Sequence, residues 1–188
     1  MTTQRTATLE ALRAHLLEHS VRTGDFVLKS GRRSTWFIDS KQTVCRPGGM
    51  LLVAEAVLAV LPEETDAIGG LTMGADPVAF VTAGVAAARG RALKAFSVRK
   101  EVKDHGGGGR IAGALDAGDK VVVTEDTVTR GTSLLQAVEA VREVGAYVVL
   151  AVAVVDRGGA AEALLAGEGV AFRGLLGAPD LGFPFDEQ

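Results

Sequence analysis

The sequence predicts an α/β fold, a central and mostly parallel sheet flanked by helices, on three observations. Strand-like and helix-like segments alternate between residues 67 and 173. The central strand candidates, Lys120–Thr124 and Tyr147–Val155, are aliphatic runs without polar alternation, as expected where helices cover both faces of a sheet. Four chemically loaded segments, 69–76, 99–110, 125–133 and 156–159, follow strand candidates. Loops leaving the carboxyl ends of parallel strands gather at one edge, where ligands bind.

The elements follow in order. Leu9, Leu12, Leu16 and Leu17 fall near one face of a helix running to Val21. Phe26–Leu28 and Ser34–Asp39 read as short strands around the turn at 30–33. Pro47, suited to a first helical position, opens a mostly apolar helix over Met50–Leu61, closed before Pro62. Ala67-Ile68 is a strand feeding the loop Gly69–Gly74, Pro77 opens a small-residue helix to Ala88, and Arg91–Val98 is a strand. After the polar loop at 99–113 come the strand Lys120–Thr124, an amphipathic helix over 134–144 and the strand Tyr147–Val155. A short helix around Ala160–Ala166 and a strand near Val170–Arg173 finish the core.

A chain of 188 residues suits one domain with a sizeable core. The net charge of −3 invites no polyanion over the whole surface, so nucleic acid is not an expected partner and any anion site is a local cluster. The single Cys45 rules out an intrachain disulfide and a cysteine-rich zinc site, and is expected as a buried free thiol. Met1–Thr6 is not followed by an apolar signal core, and the longest aliphatic stretch, Val148–Val155, falls short of the roughly 18 residues a membrane helix needs. The expectation is a cytoplasmic protein without a membrane partner.

Residues Glu125-Asp126-Thr127-Val128-Thr129-Arg130-Gly131-Thr132-Ser133 are the most informative segment. A strand–loop–helix junction aims backbone N–H groups and the positive end of a helix dipole at one point, which suits a phosphate. Thr127, Thr129, Thr132 and Ser133 add hydroxyl donors, whereas Glu125 and Asp126 would repel phosphate and must face sugar hydroxyls or a metal ion. An acidic end beside an anion-cradling end fits a phosphorylated ribose. The bland alternative is a strand-to-helix turn with Thr132 or Ser133 as N-cap. A Walker A loop does not fit, because no Lys follows Gly131.

This segment resembles the 5-phosphoribosyl 1-pyrophosphate (PRPP) loop of type I phosphoribosyltransferases. A second stretch, Arg99-Lys100-Glu101-Val102-Lys103-Asp104-His105-Gly106, reads by composition either as a solvated charged loop or as a lid over an anionic substrate. It resembles the catalytic loop of the orotate branch of that family. Phe26–Arg32 and Asp156-Arg157 are similar to that branch too, and the match runs from about Phe26 to Arg157 in the family's order.

The resemblance implies a type I phosphoribosyltransferase fold over residues 1–188 as a single domain. It has a small amino-terminal hood of helix and short strands at 1–45, an α/β core at 46–175 and a mobile catalytic loop at 99–113. It implies transfer of phosphoribose from PRPP to orotate, with Mg²⁺ bound to the pyrophosphate and no direct protein ligand to the metal expected. By motif position, Glu125 and Asp126 hold the ribose hydroxyls. Thr127, Val128, Thr129, Arg130, Gly131, Thr132 and Ser133 cradle the 5′-phosphate. Lys29, Arg99, Lys100, Lys103 and His105 contact PRPP or departing pyrophosphate, with Lys103, His105, Asp126 and Glu125 as the catalytic set. Phe37, Ile38, Thr129 and Arg157 hold orotate. A homodimer with the loop shared between subunits is implied. A purine phosphoribosyltransferase and a non-catalytic PRPP sensor remain alternatives; the basic loop, Arg157, Lys103 and His105 count against them.

The physical chemistry points the same way. A millionfold acceleration needs roughly 8 kcal/mol of transition-state stabilisation. One helix terminus supplies at most about 2 kcal/mol. The remainder falls to Mg²⁺, the lysines and exclusion of water. A planar guanidinium such as that of Arg157 can grip a carboxylate by two parallel bonds. The sequence departs from the orotate pattern at Met73, where a lysine is usual, and at Glu125, where an Asp is usual. Met73 otherwise reads as a core gap-filler. Trp36 reads equally as core or as a stacking platform, Asp39, Lys41 and Arg46 as pocket-lining or exposed, and His15 with His19 as a solvated helix face.

Overall fold

A computed structural model describes residues 2–27, 31, 33–101 and 109–186. Helix α1 (Thr2–His19) leads into an antiparallel hairpin, β1 (Val21–Val27) and β2 (Arg33–Ile38). Two helices follow, α2 (Lys41–Val44) and α3 (Pro47–Leu58), the latter with Pro47 in its first turn after the extended Arg46. The chain then alternates β3 (Ala67–Leu71), α4 (Ala75–Ala88), β4 (Lys94–Val98), β5 (Ile111–Gly113), β6 (Lys120–Val128), α5 (Thr132–Glu143), β7 (Tyr147–Asp156), α6 (Ala161–Gly167) and β8 (Phe172–Gly177). A 3₁₀ turn, Ala178–Leu181, completes the elements.

Strands β3 to β8 form a six-stranded sheet in the order β5-β4-β3-β6-β7-β8, parallel except for β5. The long aliphatic strands are explained by what covers them. Val122, Val152 and Val154 face one layer with Leu12 and Leu16 of α1, Val53 and Val57 of α3 and Val78 of α4. Their neighbours Val121, Val123, Ala151 and Ala153 face the other, with Leu134, Val138 and Val141 of α5 and Leu165 of α6. Period-two alternation therefore buries both sides, so no polar residue interrupts the strand.

The parallel order places the carboxyl ends of β3, β4, β6 and β7 at one edge, and the four loaded segments leave from there. Between β3 and β6 the chain changes direction of growth across the sheet, the position where ligand crevices open in such folds. Here the opening is built into the ladders. Pairing of β3 with β6 ends at Gly69 and Val123, while β6 stays paired with β7 as far as Val128 and Asp156. Beyond Val123 the β3 side of β6 carries no strand.

Some expectations are corrected. Val21 leaves the helix and pairs with Ile38, because α1 stops at His19 and the hairpin captures the next residue. Strand β6 continues through the acidic pair to Val128, held by β7. Cys45 is exposed instead of buried, since it sits just after α2 in the turn before Pro47. Met73 is 67% exposed and fills no core gap. Trp36 is 2% exposed and stacks on Phe183, centroids 4.5 Å apart and planes 6° from parallel, so it packs in the core instead of offering a platform.

Candidate active site

Glu125 and Asp126 lie on the last stretch of β6, 6% and 5% exposed, where that strand borders the crevice. The loop after β3 closes on them. A Cβ added to Gly74 would stand 2.0 Å from Glu125 Oε1 and 2.6 Å from Asp126 Oδ1, so only glycine allows this backbone so close to both acids. The same loop is tied at both sides, by the Thr72 N–H donating to Val98 O (2.8 Å) and the Thr72 hydroxyl donating to Asp76 Oδ2 (2.7 Å).

The two acids are not equivalent. Asp126 Oδ2 accepts from the Ser40 hydroxyl at 2.7 Å and from Lys41 Nζ at 3.1 Å, and its Oδ1 accepts from the Thr127 N–H at 2.8 Å. Among the described residues, Glu125 Oε1 accepts a single longer bond, 3.2 Å, from the Asp126 N–H. Burial, reinforced by the charge of Asp126, pushes the Glu125 carboxyl up to about 8. Burial opposes the charge of Lys41, but the neighbouring Asp126 outweighs it and the ammonium pKa is raised.

A stability prediction follows from Glu125. Its carboxyl would titrate at 4.5 in the unfolded chain and at about 8 in the fold. The folded state thus retains a proton that the unfolded state has released, so this group's contribution is complete below about 4.5 and is lost as pH rises through about 8. Glu125→Gln keeps the shape without the titration. Its melting temperature is expected to match the parent near pH 5 and to exceed it near pH 9, with a gap worth a few kcal/mol. Parallel melting curves that never separate would refute the raised pKa.

Past the acids, the chain turns into α5. Gly131 caps that helix at φ +89°, a left-handed conformation side chains avoid, with its carbonyl accepting from the Leu135 N–H at 2.9 Å. Neither Thr132 nor Ser133 is the cap; both lie in the first turn, where backbone N–H groups have no intrahelical acceptor. Thr129, Arg130 and Thr132 are exposed and Ser133 is half-buried, so the loop offers hydroxyls and amides to solvent. Val128 is buried in the core, and its carbonyl accepts from the Arg157 N–H at 2.7 Å, tying this loop to the one after β7.

Arg157 is 7% exposed, with its guanidinium 4.8 Å from the centroid of the Trp36 ring. Nη2 donates to Trp36 O at 3.3 Å and reaches Ser34 Oγ at 3.5 Å. Nε forms an ion pair with Asp186 Oδ2 at 2.8 Å without hydrogen-bond alignment, and the Asp186 N–H donates to Arg157 O at 3.0 Å. Nη1 takes part in none of these contacts. Phe37 and Ile38, adjacent on β2, point to opposite sides: Phe37 is 38% exposed beside Phe26, and Ile38 is in the core.

Arg99 and Lys100 follow β4 at the same sheet edge, Arg99 half-buried and Lys100 exposed. The base of their loop is pinned where the Arg99 N–H donates to Arg110 O (2.7 Å) and Arg110 Nε donates to Arg99 O (3.1 Å). Lys29, Lys103 and His105 lie outside the described residues. Reading the sequence left Lys41 undecided and passed over Ser40, Gly74 and Asp186. A run of Ser and Lys after a strand carries no signal for a partner 85 residues away. The rings of His15 and His19 lie 4.4 Å apart between centroids with their planes tilted by 59°, and His15 Nδ1 meets the Thr43 hydroxyl at 3.1 Å; among the described residues no group of three His, Cys, Asp or Glu could hold a metal ion. Among them also, no helix is long and apolar enough to cross a membrane.

Comparison with known proteins places this geometry. No family model matches the chain. An orotate phosphoribosyltransferase of Streptomyces avermitilis is 44% identical over 174 residues, 92% of this chain and 96% of that protein. One of Corynebacterium glutamicum is 42% identical over 166 residues, 88% of this chain and 89% of the relative. Among solved structures, Mycobacterium tuberculosis orotate phosphoribosyltransferase with inorganic phosphate superposes at a TM-score of 0.82 with 34% identity, covering 94% of this chain and 99% of that one. The complex of that protein with 5-phospho-alpha-D-ribosyl 1-diphosphate gives a TM-score of 0.76 at 34% identity over the same shares. With a sheet that opens at an acidic strand end and relatives that span nearly its whole length, the chain belongs to the orotate phosphoribosyltransferase family.

Proposed function

We propose that the protein transfers the 5-phosphoribosyl group of PRPP to orotate, yielding orotidine 5′-monophosphate and pyrophosphate, as a step of pyrimidine biosynthesis. The observation that carries this is the buried acidic pair facing Gly74 at the open end of β6, followed by the amide-lined turn into α5. Glu125 and Asp126 accept the ribose hydroxyls. The first-turn amides of α5 and the hydroxyls of Thr127, Thr129, Thr132 and Ser133 receive the 5′-phosphate, which the positive end of the helix dipole favours. Arg130 lies at the rim of this cradle.

Breaking the bond to the pyrophosphate leaves positive charge on the anomeric carbon and negative charge on the departing group. The Asp126 carboxylate, paired with Lys41, stabilises the first. Lys29, Arg99, Lys100, Lys103 and His105 stabilise the second, as preorganised donors in a site that the basic loop closes against water. Mg²⁺ would enter with the diphosphate, as the family resemblance implies. When bound, it would supply charge neutralisation on the leaving group.

Orotate lies against the Phe37 side chain, the strand backbone at Ile38 and Thr129, with its carboxylate toward Arg157. Asp186 occupies the Nε side and Trp36 O accepts from Nη2, which leaves the Nη1 end of the guanidinium toward the substrate carboxylate. We further infer a cytoplasmic homodimer in which the basic loop of each subunit reaches the other's site. Incubating the protein with PRPP, Mg²⁺ and, in parallel, orotate, adenine or hypoxanthine tests the reading. Consumption of orotate alone is expected. Turnover confined to a purine overturns it, and so does PRPP binding without turnover of any base.

A further inference from the structure

We propose that Ser40 and Lys41 are positioning residues for the acidic pair, holding the Asp126 carboxylate in the attitude that meets the ribose hydroxyls. The inference rests on the reading of that pair given above. Both residues arrive from the amino-terminal part of the chain, at the start of α2, and clamp one carboxylate oxygen between them: Ser40 Oγ at 2.7 Å and Lys41 Nζ at 3.1 Å from Asp126 Oδ2. With the Thr127 N–H on Oδ1, both oxygens are engaged and the carboxylate cannot turn about its own axis without losing a bond. Hydrogen bonds to a charged partner are roughly twice as strong as neutral ones, so this is a firm hold.

Ser40 does more than cap a carboxylate. It is 1% exposed and accepts from the Thr127 hydroxyl at 2.8 Å, so one buried oxygen joins Asp126 to the first residue of the phosphate-binding segment. The platform beneath it is fixed as well. In α2, Val44 is fully buried, and the Thr43 hydroxyl meets Ser20 Oγ at 2.7 Å and His15 Nδ1 at 3.1 Å. Among the described residues Glu125 has no comparable hold, so the pair combines one fixed acid with one freer acid. The charged groups around Asp126 among the described residues are Glu125, Lys41 and, 3.7 Å beyond Lys41 Nζ, Asp39; the facing loop after β3 presents the backbone of Gly74.

The role is specific to the sugar end of the site, which makes it separable from folding and from base binding. Lys41→Met, Lys41→Arg and Ser40→Ala in the full chain are measured for PRPP affinity by calorimetry across pH 6–10, for both KM values and for kcat. Lys41→Met is expected to weaken PRPP binding about tenfold and to leave the KM for orotate within about twofold. It is also expected to move the upper pH inflection of PRPP binding upward, because the ammonium favours the charged form of Glu125. Lys41→Arg restores most of the affinity, and Ser40→Ala loses a few-fold. A folded Lys41→Met with parental PRPP affinity overturns the proposal, as does an equal rise in both KM values with an unmoved inflection. Should Lys41→Met not fold, parental PRPP affinity in Ser40→Ala decides against it. Absence of orotate turnover by the parent sinks the activity reading instead, and the calorimetric arm still judges the clamp.

Discussion

Gly74→Ala is expected to lower kcat/KM at least about a hundredfold while the melting temperature falls by only a few degrees. The new methyl would stand 2.0 Å from Glu125 Oε1 and 2.6 Å from Asp126 Oδ1, so both acids must yield. They can: each carboxylate ends a side chain, and the backbone after β3 need not unfold. What cannot survive is their placement, since displacing a reacting constellation by about an ångström costs roughly a hundredfold in rate. The same change at an exposed glycine with open space around it, such as Gly84 within α4, provides the control, and near-parental activity is expected there. Parental kcat/KM in folded Gly74→Ala would remove the acidic pair from the reaction.

The second large effect concerns the basic loop. Lys103→Ala is expected to reduce kcat by roughly two to three orders of magnitude and to weaken PRPP binding far less, because a cation facing pyrophosphate gains most as that group departs. An unchanged kcat takes Lys103 out of the mechanism. The same variant tests the shared loop. Mixed with Asp126→Asn subunits and allowed to exchange, it should regain activity, since a hybrid dimer joins an intact loop to an intact acidic pair. Random pairing restores about a quarter of parental sites. Verified exchange without rescue argues for a loop that serves its own subunit.

Much of this architecture is readable before any coordinates. The aliphatic strands declare a sheet covered on both faces, and the acidic pair with its Thr/Gly turn declares its own chemistry, because local spacing alone sets those features. What escapes is what depends on remote partners. Nothing near Thr124 says that β6 runs on to Val128; that length is imposed by pairing with β7. Lys41 resembles any surface lysine until Asp126, distant in sequence, stands 3.1 Å away. Arg157 after a strand reads equally as a grip for a substrate carboxylate or as an ion-pair residue, and only the fold brings Asp186 to its Nε. Cys45 fails for a simpler reason: average thiol burial says nothing about a turn squeezed between α2 and Pro47.

The segment around Asp186 also bears on how the base end of the site is closed. Phe183 against Trp36 and Asp186 on Arg157 put residues 183–186 beside the proposed orotate subsite. Removal of the Asp186 carboxylate would therefore bare the guanidinium on the side that it now covers. Asp186→Asn is expected to change the orotate KM and to leave PRPP affinity near parental, and an unmoved orotate KM would separate this ion pair from base binding.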